Sequence, residues 1–99
     1  MVVLTAIIQA NPGKENEVKE LLTSLVSKVK QEEGVIEYKL HTAKSSPGKF
    51  FFYEKYKDQK TLDHHSSTPY FQDTFKKMDG LVSEDHQIEF YEEIASIVE

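Results

Sequence analysis

The side chains best suited to acid–base chemistry cluster in the middle of the chain. Phe50-Phe51-Phe52-Tyr53-Glu54-Lys55-Tyr56 is followed by Leu62, His64, His65, Thr68, Pro69, Tyr70, Phe71 and Phe75. Alternate residues of an extended strand share a face, so Phe50, Phe52, Glu54 and Tyr56 point one way. With that face against helices, Glu54 is a carboxyl among aromatics, and burial raises its pKa toward the range where it works as acid or base. A carboxyl that hydrogen-bonds His65 or Tyr56 and only pins a helix to the sheet fits the same pattern. His64 and His65 point about 100° apart on a helix, so at most one looks inward. With Leu62 in the core, that one is His65, three residues on, and His64 is solvated. A neutral buried imidazole can take a proton from a phenol or an enol. It can equally be a core histidine satisfied by a backbone carbonyl. Tyr38, Tyr56, Phe52, Phe71 and Phe75 either line a pocket for a flat aromatic ligand or are plain core.

Other chemistries find little support. His41, His64, His65 and His86 have no zinc-type spacing, so no metal is expected. There is no glycine-rich phosphate loop and no nucleophile-elbow context for a serine. With no cysteine in the chain, disulfides, thiolate metal sites, iron–sulfur clusters and cysteine nucleophiles are excluded, which suits the cytoplasm.

The elements that must position these residues follow from periodicity. Val2 to Gln9 is an apolar, β-branched run that reads as a strand buried on both faces, rather than as a cleaved leader. From Glu15 to Glu33, the residues Val18, Leu21, Leu22, Leu25, Val26 and Val29 draw one helical stripe, with Gly34 as its expected left-handed cap. Val35 to His41 alternates, with Ile36, Tyr38 and Leu40 on one face. Ser45-Ser46-Pro47-Gly48 signals a turn into a strand over Phe50 to Tyr56. Asp58 can cap a short helix through His65, and Thr68-Pro69 starts another. His86 to Ile94 is a last strand with Ile88, Phe90 and Ile94 on one face.

That order, β-α-β-β-α-β, is the α+β, ferredoxin-like plan, an antiparallel sheet with the first and third strands central. Such a sheet carries helices on one face only. Val3, Ile7, Phe51 and Tyr53 would leave an apolar patch on the other, and a second copy of the chain is its simplest cover. The apolar tail, Ile94 to Val98, could extend the fourth strand onto that partner.

The 99 residues suit one domain, residues 1–99, and 38% apolar with 29% charged content is that of a folded globule. A net charge of −5 argues against a nucleic-acid partner, which needs a basic face. No apolar run is long enough to cross a bilayer, and scattered lysines give no membrane-surface patch.

Taken together, Pro12-Gly13-Lys14, Glu32-Glu33-Gly34 with Tyr38, Phe52-x-Glu54-x-Tyr56 and Leu62-x-x-His65-x-x-Thr68-Pro69-Tyr70-Phe71 resemble the antibiotic biosynthesis monooxygenase domain. The resemblance implies a dimeric α/β barrel. Some members insert oxygen into phenols or quinols with dioxygen and no flavin, haem or metal; others degrade haem, and one branch isomerises a phosphorylated quorum signal. It implies His65, Glu54 and Tyr56 as catalytic groups, and Tyr38, Phe52, Tyr70, Phe71 and Phe75 around a small aromatic, quinol-like substrate. Tyr56 replaces a common Trp, Tyr70 a second His, and Val35 a frequent Cys. Ala6, Tyr56 and Phe75 stand where haem-degrading members carry Asn, Trp and His, which disfavours that activity. Tyr53 to Asp58 is similar to the isomerase branch, but Val26 stands in place of that branch's His. A phosphate would have only Lys28 or Lys39 to meet it, or Lys55 at a cationic rim. The expected function is therefore cofactor-independent oxidation of a quinol or phenol. Isomerisation of a hydroxyketone, or ligand binding by a non-catalytic dimer, is the alternative.

Overall fold

The computed structural model describes residues 1–98. Along the chain come β1 (Val2–Gln9), α1 (Glu15–Val29), β2 (Val35–Ala43), β3 (Ser46–Tyr56), α2 (Gln59–Ser67), α3 (Pro69–Lys77) and β4 (Gln87–Tyr91). The sheet is antiparallel in the order β2-β3-β1-β4, with the two most apolar strands central. This is the α+β, ferredoxin-like arrangement that the sequence pattern implies. The helical segment between β3 and β4 is split into two short helices on the same face as α1.

Residues opposite one another on neighbouring strands share a face, so the register defines rows across the sheet. Tyr38, Glu54, Leu4 and Phe90 form one row, and Leu40, Phe52, Ala6 and Ile88 the next. Both rows face the helices. Ile8, Ala10, Phe50 and Phe52 from the sheet pack with Val18 and Leu22 of α1 and with Met78. A second cluster joins Leu4 and Tyr56 to Leu62 of α2. Burying each large apolar side chain contributes about 1.5–3 kcal/mol, so the floor of the site is part of what stabilises the fold.

Four local expectations are corrected. Helix α1 stops at Val29, the last buried residue of its stripe, instead of reaching Glu33. Gly34 does adopt φ +87°, but five residues beyond the helix, where it turns the chain into β2. An irregularity between Val35 and Glu37 leaves Ile36 exposed, and Val35 packs toward Tyr56 in its place. The hairpin turns at Lys44 and Ser45, with Ala43 opposite Ser46, so Pro47 and Gly48 already belong to β3.

The fourth correction concerns the end of the chain. Strand β4 stops at Tyr91, and residues 92–98 are irregular and exposed. Ile94 does not share a face with Ile88 and Phe90. It borders a hollow with Val3, Thr5 and Tyr53 on the sheet face away from the helices, where Lys55 Nζ meets Glu93 at 3.2 Å. On that face Val3 is buried, while Ile7, Phe51 and Tyr53 are half-buried.

Candidate active site

Helix α2 places the histidine. Asp58 caps it, its Oδ1 accepting from Thr61 N at 2.8 Å and Thr61 Oγ1 at 2.7 Å. With the helical phase fixed, Leu62 and His65 face inward and His64 faces solvent. The chain then turns sharply at Thr68, whose N and Oγ1 both donate to the His65 carbonyl. Thr68 Oγ1 in turn accepts from Phe71 N, and Pro69 opens α3. This corner locks the backbone of His65 from its C-terminal side.

The imidazole is 1% exposed and ringed by aromatics. The Tyr38 and Phe71 rings meet it edge-on at centroid distances of 5.1 and 4.9 Å, with Tyr56 at 5.6 Å. Its Nδ1 lies 3.2 Å from both carboxylate oxygens of Glu32. Both side chains are buried. Tyr70 Oη donates to Glu32 Oε2. At the other end of the ring, His65 Nε2 is buried without a hydrogen-bond partner, the one such side-chain atom among the described residues. Burial holds the His65 pKa below its ordinary value, opposed by the Glu32 carboxylate, so the ring is neutral at pH 7.

Glu54 is 6% exposed, and burial pushes its carboxyl up to about 7 against the lowering effect of the bond donated by Tyr56 Oη. Burial, with the nearby Glu54 carboxyl, raises the Tyr38 and Tyr56 phenols far above their usual range. Tyr70 is pushed up to about 12, by burial first and then by its bond to Glu32. All three phenols are therefore donors at neutral pH.

Between sheet and helices lies a cavity of about 280 Å³. Leu4, Ala6, Ile8 and Phe52 floor it; Tyr38, Glu54, Leu62 and His65 wall it; Phe71, Phe75, Ile88 and Phe90 surround the rest. Asp63 and Ser66 of α2 complete the lining. Six of the residues singled out in the sequence thus share one cavity: His65, Glu54, Tyr38, Phe52, Phe71 and Phe75. Tyr56 and Tyr70 do not line it. Tyr56 is fully buried behind Glu54, and Tyr70 reaches Glu32 on the far side of His65. None of Lys28, Lys39 and Lys55 borders the cavity. Lys39 pairs with Glu37 at 2.9 Å, and Lys55 with Glu93. Among the described residues, no three His, Asp or Glu side chains gather as a metal site would require.

Residues 1–77 match the family model described as antibiotic biosynthesis monooxygenase. The chain belongs to that family. A Synechocystis protein of uncharacterised function is 27% identical over 90 residues, covering 91% of this chain; the chain spans only 61% of that relative's length. YcnE of Bacillus subtilis, a candidate monooxygenase by name, is 34% identical over 83 residues, covering 84% of this chain and 87% of YcnE. A solved structure of an antibiotic biosynthesis monooxygenase superposes with a TM-score of 0.90 at 25% identity, covering 96% of this chain and all of the other.

The feature of this family member that sequence reasoning missed is Glu32. It stood in the motif Glu32-Glu33-Gly34 with no role attached, inside what read as helix. The available signal was the end of the apolar stripe at Val29, which frees Glu32 to turn inward toward a histidine 33 residues away.

Proposed function

We propose that this chain is a cofactor-independent monooxygenase that oxidises a quinol or phenolic aromatic with dioxygen. The observation that carries this reading is the buried, neutral His65, whose unpartnered Nε2 belongs to a residue lining an aromatic-walled cavity. A phenolic hydroxyl bound there gives its proton to Nε2. The resulting phenolate delocalises charge onto a ring carbon, which passes electrons to dioxygen and forms a C–O bond. The O–O bond then breaks. One oxygen remains on the ring as a carbonyl and the other leaves as water. That water takes the former ring hydrogen and the proton held by His65, and the substrate supplies all four electrons. Glu54, poised near neutrality, can exchange a proton with the departing oxygen, while Tyr38 can donate to a substrate oxygen. Phe52, Phe71 and Phe75 keep water from the electron-rich intermediate.

A volume of about 280 Å³ lies at the small end for ligand cavities, which favours one or two fused rings. Its charged lining residues are Glu54 and Asp63, both acidic, so an anionic phosphorylated ketone is poorly matched. The protein would act as a homodimer, with the half-buried sheet face of Ile7, Phe51 and Tyr53 covered by a second copy. Light scattering should then give twice the 11.4 kDa of the chain.

The test is oxygen uptake by metal-stripped protein with a panel of quinols and polyhydroxylated naphthalenes and anthracenes. Uptake above autoxidation should fall by about 10²-fold or more in His65→Ala, the usual worth of a positioned base. Ligand binding with no oxygen consumed across the panel would overturn the oxygenase reading in favour of a binding or isomerase role.

A further inference from the structure

We infer that Glu32 is a positioning residue that sets the tautomer of His65, making Nε2 the basic atom, and that Tyr70 holds Glu32 in place. The inference deepens the base role proposed for His65 and, for its kinetic consequences, rests on it. Its geometry stands independently. A carboxylate can only accept hydrogen bonds, and both Glu32 oxygens lie 3.2 Å from Nδ1. A neutral imidazole has one N–H, so that proton sits on Nδ1 and Nε2 keeps a bare lone pair. The lone pair belongs to the buried atom without a partner. The reverse tautomer would leave a buried N–H unsatisfied at Nε2 and set two lone-pair-bearing atoms against each other at Nδ1.

The three side chains come from three separate elements: Glu32 from the turn after α1, His65 from α2 and Tyr70 from α3. Tyr70 Oη donates to Oε2, which leaves the carboxylate little freedom to swing away from the ring. When Nε2 takes a proton, the imidazolium already has a buried carboxylate on Nδ1, so little rearrangement accompanies the charge. Other titratable groups face the ring from the packed elements. They are Tyr38 on β2 and Glu54 and Tyr56 on β3; His64 on α2 points to solvent, yet its charge also weighs against protonation of His65. Glu54, pushed up to about 7, shares the cavity with His65, so its contribution must be separated by Glu54→Gln.

The decisive measurement is the long-range ¹H–¹⁵N NMR correlation pattern of the histidine rings in the unmodified protein at neutral pH. A protonated Nδ1 with an unprotonated Nε2 at His65 is expected. A protonated Nε2 would overturn the inference whatever the activity. Glu32→Gln should lower kcat by about 10- to 100-fold, as loss of an orienting partner does, with KM little changed. It should also lower the pKa governing the acid limb of the rate profile. Tyr70→Phe, the milder variant, should move both in the same direction by less. Unaltered profiles in both variants would remove Glu32 from the mechanism. Absence of oxygenase activity in the unmodified protein, with the tautomer as expected, would count against the oxygenase reading alone.

Discussion

Gly34→Ala should be among the most damaging single substitutions outside the core, because two penalties meet at one methyl group. The residue sits at φ +87°, where a non-glycine residue pays about 1–2 kcal/mol. A Cβ there would also lie 2.6 Å from Thr61 Oγ1 and 2.9 Å from Thr61 Cγ2. Thr61 is short and branched, and its hydroxyl is held 2.7 Å from Asp58 in the cap of α2, so it cannot simply swing aside. Moving it costs roughly the worth of a cap, about 1 kcal/mol. The sum is about 2–3 kcal/mol, read as a lower urea midpoint at unchanged m-value. The alternative relaxation shifts the turn and carries Glu32, two residues upstream, away from His65. The double variant Gly34→Ala/Thr61→Ala relieves the contact but not the backbone strain, so it should lie above the sum of the single effects. A Gly34→Ala protein within about 0.5 kcal/mol of the original would refute this account of the turn.

Two further outcomes follow from the cavity wall. The folded Glu54 carboxyl titrates near 7 against a reference of 4.5, so the unfolded chain gives up that proton first as pH rises. Stability should fall between those values, by about 3 kcal/mol for this group, and Glu54→Gln should flatten the fall in urea midpoints from pH 5 to 8. His65 contributes with the opposite sign: its depressed pKa means stability present above the unfolded value is lost as pH drops through it. Ile88→Ser, at a position 61% exposed beside the cavity, should change stability by no more than about 0.5 kcal/mol. In steady-state oxygen uptake it should raise KM while leaving kcat nearly intact.

The strands were legible because their signal is local. Alternation in β3 puts Phe50, Phe52, Glu54 and Tyr56 on one face without saying whether that face meets the helices; the structure buries all four. Helix α2 and the Thr68-Pro69 start of α3 were legible for the same reason, since cap chemistry is written within three residues. Termini and bulges were less so. The end of α1 and the irregularity at Ile36 depend on what packs against them, which no window of the chain contains. Glu32 was hidden most deeply. Its partners His65 and Tyr70 lie 33 and 38 residues away, and a glutamate off the apolar stripe in the last turn of a charged helix reads as solvent-facing until the turn is placed. The family resemblance points to Tyr56 as a catalytic group and to Tyr70 as a substrate contact, yet neither lines the cavity. Only tertiary placement reveals that their hydroxyls are already committed to Glu54 and Glu32.

The same placement ties the chemistry to the stability of the fold. Glu54 shares its cross-strand row with Leu4, a core residue, and the next row sets Phe52 beside Ala6. A polar group in such a row is costly to the sheet unless satisfied, and here satisfaction comes from Tyr56, one face-position along the same strand. His65 is satisfied on one side only, by Glu32. A fold optimised for stability alone would have no reason to keep a bare imidazole nitrogen and a half-titrated carboxyl within one aromatic cavity. Their coexistence suits the proton transfer proposed above: burial raises the carboxyl to about 7 and lowers the imidazole, each against its ordinary charge state. The two groups are tied down unequally: Glu54 has a standing donor in Tyr56, whereas His65 Nε2 has none, and on the proposed reading a substrate hydroxyl would be the partner that completes the set.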